Sequence, residues 1–203
     1  MNQPLTLLQL AGAQPSLPRW QDATLILIDH QREYIDGAVL IQQAPRAIAE
    51  MLRLLRKARA AGAPVVHILH HGAANARLFN PASSMVQPIT GLEPGPGEQV
   101  VIKHLPNAFA ATQLDDLLTT IGRKHLVVAG FATHMCVSAT VRAAVDHGYF
   151  CTVVADACGT RDLPGALSGV LPAEQLHAAE LAALADRFAL VVPNATAWPP
   201  STR

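Results

Sequence analysis

Three side chains in this sequence could together perform nucleophilic chemistry: Asp29, Lys103 and Cys136. Asp29 and Lys103 each follow an apolar run, and Cys136 comes six residues after Gly130, where an apolar run gives way to a helical pattern. A carboxylate can act as the general base for a thiol, and a nearby ammonium group favours the thiolate. The three residues could therefore activate a cysteine nucleophile if the fold brings them together.

Each of the three residues also has an ordinary explanation. A thiol at a helix N-terminus lies in a positive partial field that lowers its pKa, and the free amides there can hold an oxyanion. However, Cys136 could be a simple buried cysteine, Asp29 could cap loop amides, and Lys103 could be solvated or salt-bridged. The choice between these interpretations depends on the elements that position the residues.

The hydrophobic pattern predicts strands that alternate with helices. Short apolar runs typical of buried strands occupy residues 23–28, 65–69, 99–102, 126–129, 150–155 and 189–192. Helical spacing follows Pro45, recurs at 114–121 and 137–145, and ends near Phe188. Such alternation predicts an α/β fold, with a parallel sheet between two helical layers. In such sheets ligands bind beyond the carboxyl ends of the strands, where Asp29, Lys103 and His70 would lie.

The charge balance gives no electrostatic case for two classes of partner, and the length predicts one domain. The chain has 203 residues, with 15 basic and 15 acidic side chains, so its formal net charge is zero. A neutral chain has no overall electrostatic attraction to nucleic acid or to an acidic membrane. We expect a single domain over 1–203, with an N-terminal arm at 1–21, a core at 22–192 and a tail at 193–203.

The cysteines and apolar runs indicate a cellular location. Cys136, Cys151 and Cys158 form an odd set, and a chain of this length does not need disulfides, so a reducing compartment is expected. The sequence has neither a signal-peptide pattern nor an apolar run of membrane-spanning length. We expect a soluble cytoplasmic protein.

Four segments resemble the isochorismatase-like cysteine hydrolases, which include nicotinamidases and N-carbamoyl amidohydrolases. The segments are LILIDHQ, KHLPNAFAATQLDDLL, VVAGFATHMCVSATVRAA and VVADACGTRD. The resemblance spans roughly residues 22–192. It implies a three-layer sandwich with a six-stranded parallel sheet of order 3-2-1-4-5-6. It also implies a catalytic triad of Asp29, Lys103 and Cys136, a cis peptide bond between Phe131 and Ala132, and an oxyanion hole formed by the N–H groups of Ala132 and Cys136.

The resemblance implies hydrolysis of a C–N bond in a small molecule, through a thioester on Cys136 and without a cofactor. It further implies a homo-oligomer, either a dimer or a tetramer. Three alternatives remain open. The chain could hydrolyse a vinyl ether with Asp29 as the acid, it could be a non-catalytic binding member of the family, or it could be a thiol-redox protein that uses Cys136 with Cys158.

One departure from nicotinamidases concerns the metal site. Those enzymes carry an Asp-x-His motif after the second strand, whereas this chain has His70 and His71 side by side. We expect no metal, although a site built from four histidines remains an alternative: His67, His70, His71 and His104. We expect a substrate pocket formed by His70, which follows the second strand, and by four residues close in sequence to the triad: Gln31, Asn107, Phe109 and Phe131.

Overall fold

The central feature of the fold is one parallel sheet. The computed structural model describes residues 3–198. The strands are β1 (Ala23–Ile28), β2 (Val65–His70), β3 (Gln99–Lys103), β4 (His125–Phe131), β5 (Phe150–Gly159), β6 (Leu163–Pro164), β7 (Val170–Leu171) and β8 (Ala189–Val192). The sheet has six strands in the order β3-β2-β1-β4-β5-β8, and each neighbouring pair is parallel. The predicted fold and strand order are confirmed. The sixth strand is β8 because the short antiparallel pair β6–β7 precedes it.

Helices cover both faces of the sheet. They are α1 (Leu7–Leu10), α2 (Ala44–Ala60), α3 (Leu114–Ile121), α4 (Ser138–Asp146) and α5 (Ala173–Arg187). Strand β1 is buried throughout, and its side chains alternate between the faces as strand geometry requires. Leu25 and Leu27 join the cluster that includes α2, whereas Ile26 and Ile28 join the cluster formed by α3, α4 and α5. A strand buried on both sides explains the unbroken apolar run in the sequence.

Two elements differ from the sequence-based expectation. Strand β5 was expected to end at 155, but it continues to Gly159 because its outer half pairs again with β4 after a register shift. Cys136 was expected to begin a helix. It lies instead within a π-helical turn, Thr133–Val137, and the α-helix begins at Ser138. A π-turn of this kind is rare and is often found at functional sites.

The arm and the tail pack on the body of the protein. The Leu7 amide donates to the Asp186 carboxylate, and Trp20 packs on Trp198 with ring centroids 5.1 Å apart. The Trp198 indole N–H donates to the carbonyl of Pro18. Residues 1–2 of the predicted arm and 199–203 of the predicted tail lie outside the described residues. None of the helices in 3–198 has the length and apolar character needed to cross a membrane.

Candidate active site

Asp29, Lys103 and Cys136 meet at the carboxyl edge of the sheet. The Lys103 ammonium lies 2.8 Å from Oδ2 of Asp29, and both side chains are fully buried. The same ammonium donates to the Cys136 sulfur at 3.2 Å. The structure thus brings together the three residues that the sequence placed at separate strand ends.

Strand register explains why these side chains converge. Asp29 directly follows β1, and its amide donates to the carbonyl of Ile68 in the neighbouring strand β2. Lys103 ends β3 and pairs in register with His70, the last residue of β2. Cys136 arrives from β4, which lies on the other side of β1. Because β1 is central, its end is the point where residues from both flanking strands can meet.

Asp29 adopts an uncommon backbone conformation, with a φ of +48°. Aspartate visits this left-handed region more readily than most residues, but the conformation is still unfavourable. Strained backbone of this kind is concentrated at functional sites, where the surrounding structure maintains it.

Burial determines the protonation of the site. It raises the pKa of Asp29, and the Lys103 charge together with hydrogen bonds to Cys136 and Lys103 opposes the rise. Burial also raises the pKa of the Cys136 thiol; the Asp29 charge adds to this rise, and Lys103 opposes it. The sequence-based expectation of a lowered thiol pKa is therefore wrong, because desolvation outweighs the field of the helix terminus. The raised pKa of Cys136 favours the neutral thiol at rest.

The turn that carries Cys136 is held by side chains from α5. The Thr133 hydroxyl lies 2.8 Å from Nδ1 of His177, and the Ser138 hydroxyl donates to Glu180 at 2.5 Å. These contacts flank Cys136 in the sequence, so they tie the turn that carries the thiol to α5.

The backbone before the turn approaches β1 closely. The peptide bond between Phe131 and Ala132 is cis, at the position that the resemblance implies. The amides of Met135 and Val137 both donate to the Ala132 carbonyl, at 3.0 and 3.3 Å. At Gly130, which has a φ of +131°, a Cβ atom would lie 1.9 Å from the carbonyl oxygen of Ile28. Only glycine allows β4 to come this near to the end of β1.

Two of the residues expected in the pocket, Gln31 and His70, are joined to each other. The Gln31 amide nitrogen donates to the carbonyls of His70 and Val86, and its oxygen accepts from the His70 amide, each at 2.8 Å. Gln31 therefore has its donors and acceptor engaged with backbone groups, and it positions His70 rather than offering free polar atoms. The His70 imidazole lies beside the triad, with Nδ1 3.1 Å from the Lys103 ammonium.

Aromatic rings form a second group near the triad. Tyr34 packs against both Phe79 and Phe131, with ring centroids 5.4 Å apart in each pair. Burial raises the pKa of Tyr34 well above its ordinary value, and the nearby Asp29 and Cys136 add to the rise. Sequence reasoning identified Phe131 but missed Tyr34 and Phe79, because they come from irregular segments that carry no periodic signal.

The remaining two pocket candidates lie further along the chain after Lys103. The Asn107 side chain accepts from the amide of Phe109 and thus closes a local turn. The Phe109 ring stacks on His147, at a centroid distance of 4.6 Å, and more distantly on Tyr149. Phe109 therefore packs against the end of α4, where it joins the same buried cluster as Cys136.

The histidines considered for a metal make separate contacts. His67 bonds to His30 at 3.0 Å and to Glu98 at 2.8 Å, whereas His70 faces Lys103 and His104 bonds to the carbonyl of His71. Among residues 3–198, no three His, Cys, Asp or Glu side chains form a group that could hold a metal ion. The three cysteines are all buried and unpaired.

Comparison with known proteins assigns the chain and its fold to a family. Residues 23–196 match the family model described as the Isochorismatase domain. The crystal structure of an isochorismatase from Pseudomonas putida KT2440 superposes with a TM-score of 0.91 and 44% identity, covering 95% of this chain and 98% of that one. The secreted isochorismatase effector Isc1 of Verticillium dahliae is 38% identical over 91% of this chain and 95% of its own length.

Two further relatives are named for their reactions. A streptothricin hydrolase of Streptomyces noursei is 37% identical over 86% of this chain and 69% of its own length. The ureidoacrylate amidohydrolase RutB of Variovorax paradoxus is 29% identical over 77% of this chain and 75% of its own. The matches define the class as hydrolases, and their fold is a three-layer sandwich with a central parallel sheet. The chain belongs to the isochorismatase family.

Proposed function

We propose that this hydrolase cleaves the C–N bond of an amide or carbamoyl group in a small molecule, with Cys136 as the nucleophile. The observation that carries the proposal is the buried ammonium of Lys103, which contacts both Asp29 (2.8 Å) and the Cys136 sulfur (3.2 Å). A base, a charge-stabilising cation and a thiol within contact distance are the groups that nucleophilic catalysis requires.

The proposed reaction begins with a neutral thiol. Asp29 takes the proton of Cys136 as the sulfur attacks the carbonyl carbon, and the Lys103 charge stabilises the developing thiolate. The raised pKa of Cys136 keeps the proton on sulfur at rest. The raised pKa of Asp29 makes its carboxylate a stronger base for that proton. The amides of Ala132 and Cys136 are assigned to the oxyanion.

Collapse of the tetrahedral intermediate breaks the C–N bond, and the protonated Asp29 gives its proton to the leaving nitrogen. Asp29 then removes a proton from water, which attacks the thioester carbonyl. The C–S bond breaks, the acid product leaves, and Asp29 returns the proton it took from water to the sulfur. The sum is addition of one water across the C–N bond, so the cycle needs no cofactor.

The test is a substrate screen with paired variants. Purified protein is offered primary amides, ureido acids and isochorismate, and released ammonia and acylation of Cys136 are followed, the latter by peptide mass spectrometry. Cys136→Ala should abolish ammonia release while the circular dichroism spectrum stays unchanged. Cys151→Ala is the matched control, because Cys151 is a buried cysteine within β5, and it should retain activity. Ammonia release by Cys136→Ala at the wild-type rate would refute the thioester route.

A second candidate is hydrolysis of a vinyl ether, with Asp29 as the proton donor. The observation that favours it is the raised pKa of Asp29, since a buried carboxyl group can remain protonated long enough to act as an acid. The same variants separate the two functions when loss of isochorismate is followed beside ammonia release. Vinyl ether hydrolysis should survive Cys136→Ala and fail in Asp29→Asn, whereas C–N cleavage should fail in both.

Oligomerisation and location remain predictions. Leu105 and Met135 are half-exposed apolar side chains close in sequence to Lys103 and Cys136, and contact with another subunit would remove them from water. Light scattering coupled to gel filtration would give the order of the assembly. The cytoplasmic location also stays a prediction, and the relative Isc1 is named as a secreted effector.

A further inference from the structure

His70 occupies the one remaining side of the Lys103 ammonium. An ammonium group has three hydrogens to donate and no acceptor. Two of the three contacts described are Oδ2 of Asp29 at 2.8 Å and Sγ of Cys136 at 3.2 Å. The third is Nδ1 of His70 at 3.1 Å. Three acceptors around three hydrogens hold the ammonium in one orientation.

This contact determines the tautomer of the imidazole. Because the ammonium only donates, Nδ1 must present its lone pair, and the ring proton must reside on Nε2. An imidazolium would have a hydrogen on both nitrogens and could not accept from Lys103. Burial, followed by the Lys103 charge, lowers the pKa of His70 to about 4, which agrees with a neutral ring.

His70 is held through both its backbone and its ring. Gln31 clamps the His70 backbone through its amide oxygen and nitrogen. Phe79 packs edge-on against the imidazole, with centroids 5.0 Å apart at 81°. The Phe79 amide in turn donates to Glu33 at 3.1 Å, and Phe79 has a φ of +51°. Such support is typical of a side chain whose exact placement matters, because a loosely held acceptor would not orient its partner.

We propose that His70 is a positioning residue, whose Nδ1 holds the Lys103 ammonium against both Asp29 and Cys136. A lysine side chain is long and flexible, and its point charge imposes little geometry of its own. Without the third acceptor the ammonium can rotate or withdraw from the sulfur. The role of Lys103 in stabilising the thiolate then becomes weaker although Lys103 itself is intact. This inference rests on the proposed function of Cys136 as nucleophile.

The experiment measures alkylation of Cys136 by iodoacetamide, which requires thiolate but no substrate. Mass spectrometry of the Cys136 peptide gives the rate of alkylation at about pH 7.5. His70→Leu fills similar space without an acceptor, whereas His70→Asn returns an acceptor oxygen close to the position of Nδ1. His71→Asn is the neighbouring control, because His71 contacts Lys103 through its backbone amide.

His70→Leu should slow alkylation by about tenfold, the scale of one lost hydrogen bond to a charged group. His70→Asn should recover the rate to within about threefold of wild type, and His71→Asn should leave it unchanged. A purely structural role for His70 would not distinguish Asn from Leu. Equal rates for the Asn and Leu variants would overturn the proposal, as would a wild-type rate in His70→Leu. Should His70→Leu fail to fold, a tenfold loss in His70→Asn would overturn it too.

Lys103→Met distinguishes a failure of the proposed role of His70 from a failure of the proposed activation of Cys136. If it slows alkylation strongly while His70→Leu does not, the proposed activation of Cys136 stands and the role of His70 fails. If Lys103→Met alkylates as fast as wild type, the activation of Cys136 by Lys103 itself is wrong.

Discussion

Replacing Lys103 with methionine should convert a paired buried carboxylate into an unpaired one. The ammonium lies 2.8 Å from Asp29, and neither side chain is exposed to solvent. With an effective dielectric constant of about 20, two unit charges at this separation attract by about 6 kcal/mol. Removal of one partner from a buried ion pair costs about 3–5 kcal/mol, since the other charge is left without compensation. Methionine is similar in volume to lysine, so little of this cost should come from a cavity.

The loss should depend on pH in a defined direction. Burial already raises the pKa of Asp29, and Lys103 opposes that rise, so the variant has a still higher pKa at Asp29. A carboxyl group whose pKa is higher in the folded state favours folding most below its unfolded pKa of about 3.9, and this contribution is lost as pH rises. The deficit of Lys103→Met relative to wild type should therefore grow with pH, by at most about 1.4 kcal/mol per pH unit.

Urea unfolding between about pH 5 and pH 9 measures this deficit. The matched control is the double variant Asp29→Asn with Lys103→Met, which removes both charges at nearly constant volume. It should be more stable than Lys103→Met by about 2–4 kcal/mol at the alkaline end, with a flatter pH dependence. A deficit that is constant across the pH range, or a double variant no more stable than the single one, would show that Asp29 is not an uncompensated charge in Lys103→Met.

Two further predictions concern the framework of the site. Gly130→Ala should abolish soluble expression or lower the melting temperature by more than about 10 °C, because the added Cβ would lie 1.9 Å from the Ile28 carbonyl oxygen. The control is Gly148→Ala, also at positive φ but with nothing within 4 Å of the added Cβ, which should cost only about 1 kcal/mol of stability. Equal losses of stability in the two variants would show that the close approach at Gly130 does not matter. Glu98 has a pKa lowered to about 2, chiefly by its hydrogen bond with Arg59, so its contribution is present above its unfolded pKa and is lost as pH falls toward 2. Glu98→Gln should flatten the decline in stability below about pH 4.5, as measured by urea midpoints, and an unchanged decline would show that other carboxylates dominate it.

The sequence predicted the positions of some site residues and not the contacts of others. Apolar runs located Asp29, His70 and Lys103 at strand ends, and parallel topology then brought these ends to one edge. This inference needs only hydrophobic patterning and the handedness of the connections. It could not show that Gln31 holds the backbone of His70, because that contact depends on side-chain direction across a loop of irregular backbone.

The aromatic rings near the triad illustrate the same limit. Tyr34 lies in a short 3-10 segment, and Phe79 lies in a long loop. Neither segment has a period that would assign its side chains to a face. Their contacts with each other and with Phe131 arise from chain segments far apart in sequence, and only the folded structure specifies such contacts.

The sequence by itself determined the class of fold, the strand ends that carry polar groups and the presence of a thiol after the fourth strand. These properties follow from hydrophobic periodicity, which depends on neighbouring residues alone. The tertiary structure decided the state of the groups that meet there. Whether Cys136 rests as thiol or thiolate depends on desolvation and on the distances to Asp29 and Lys103, and these vary with how the whole chain packs around the site.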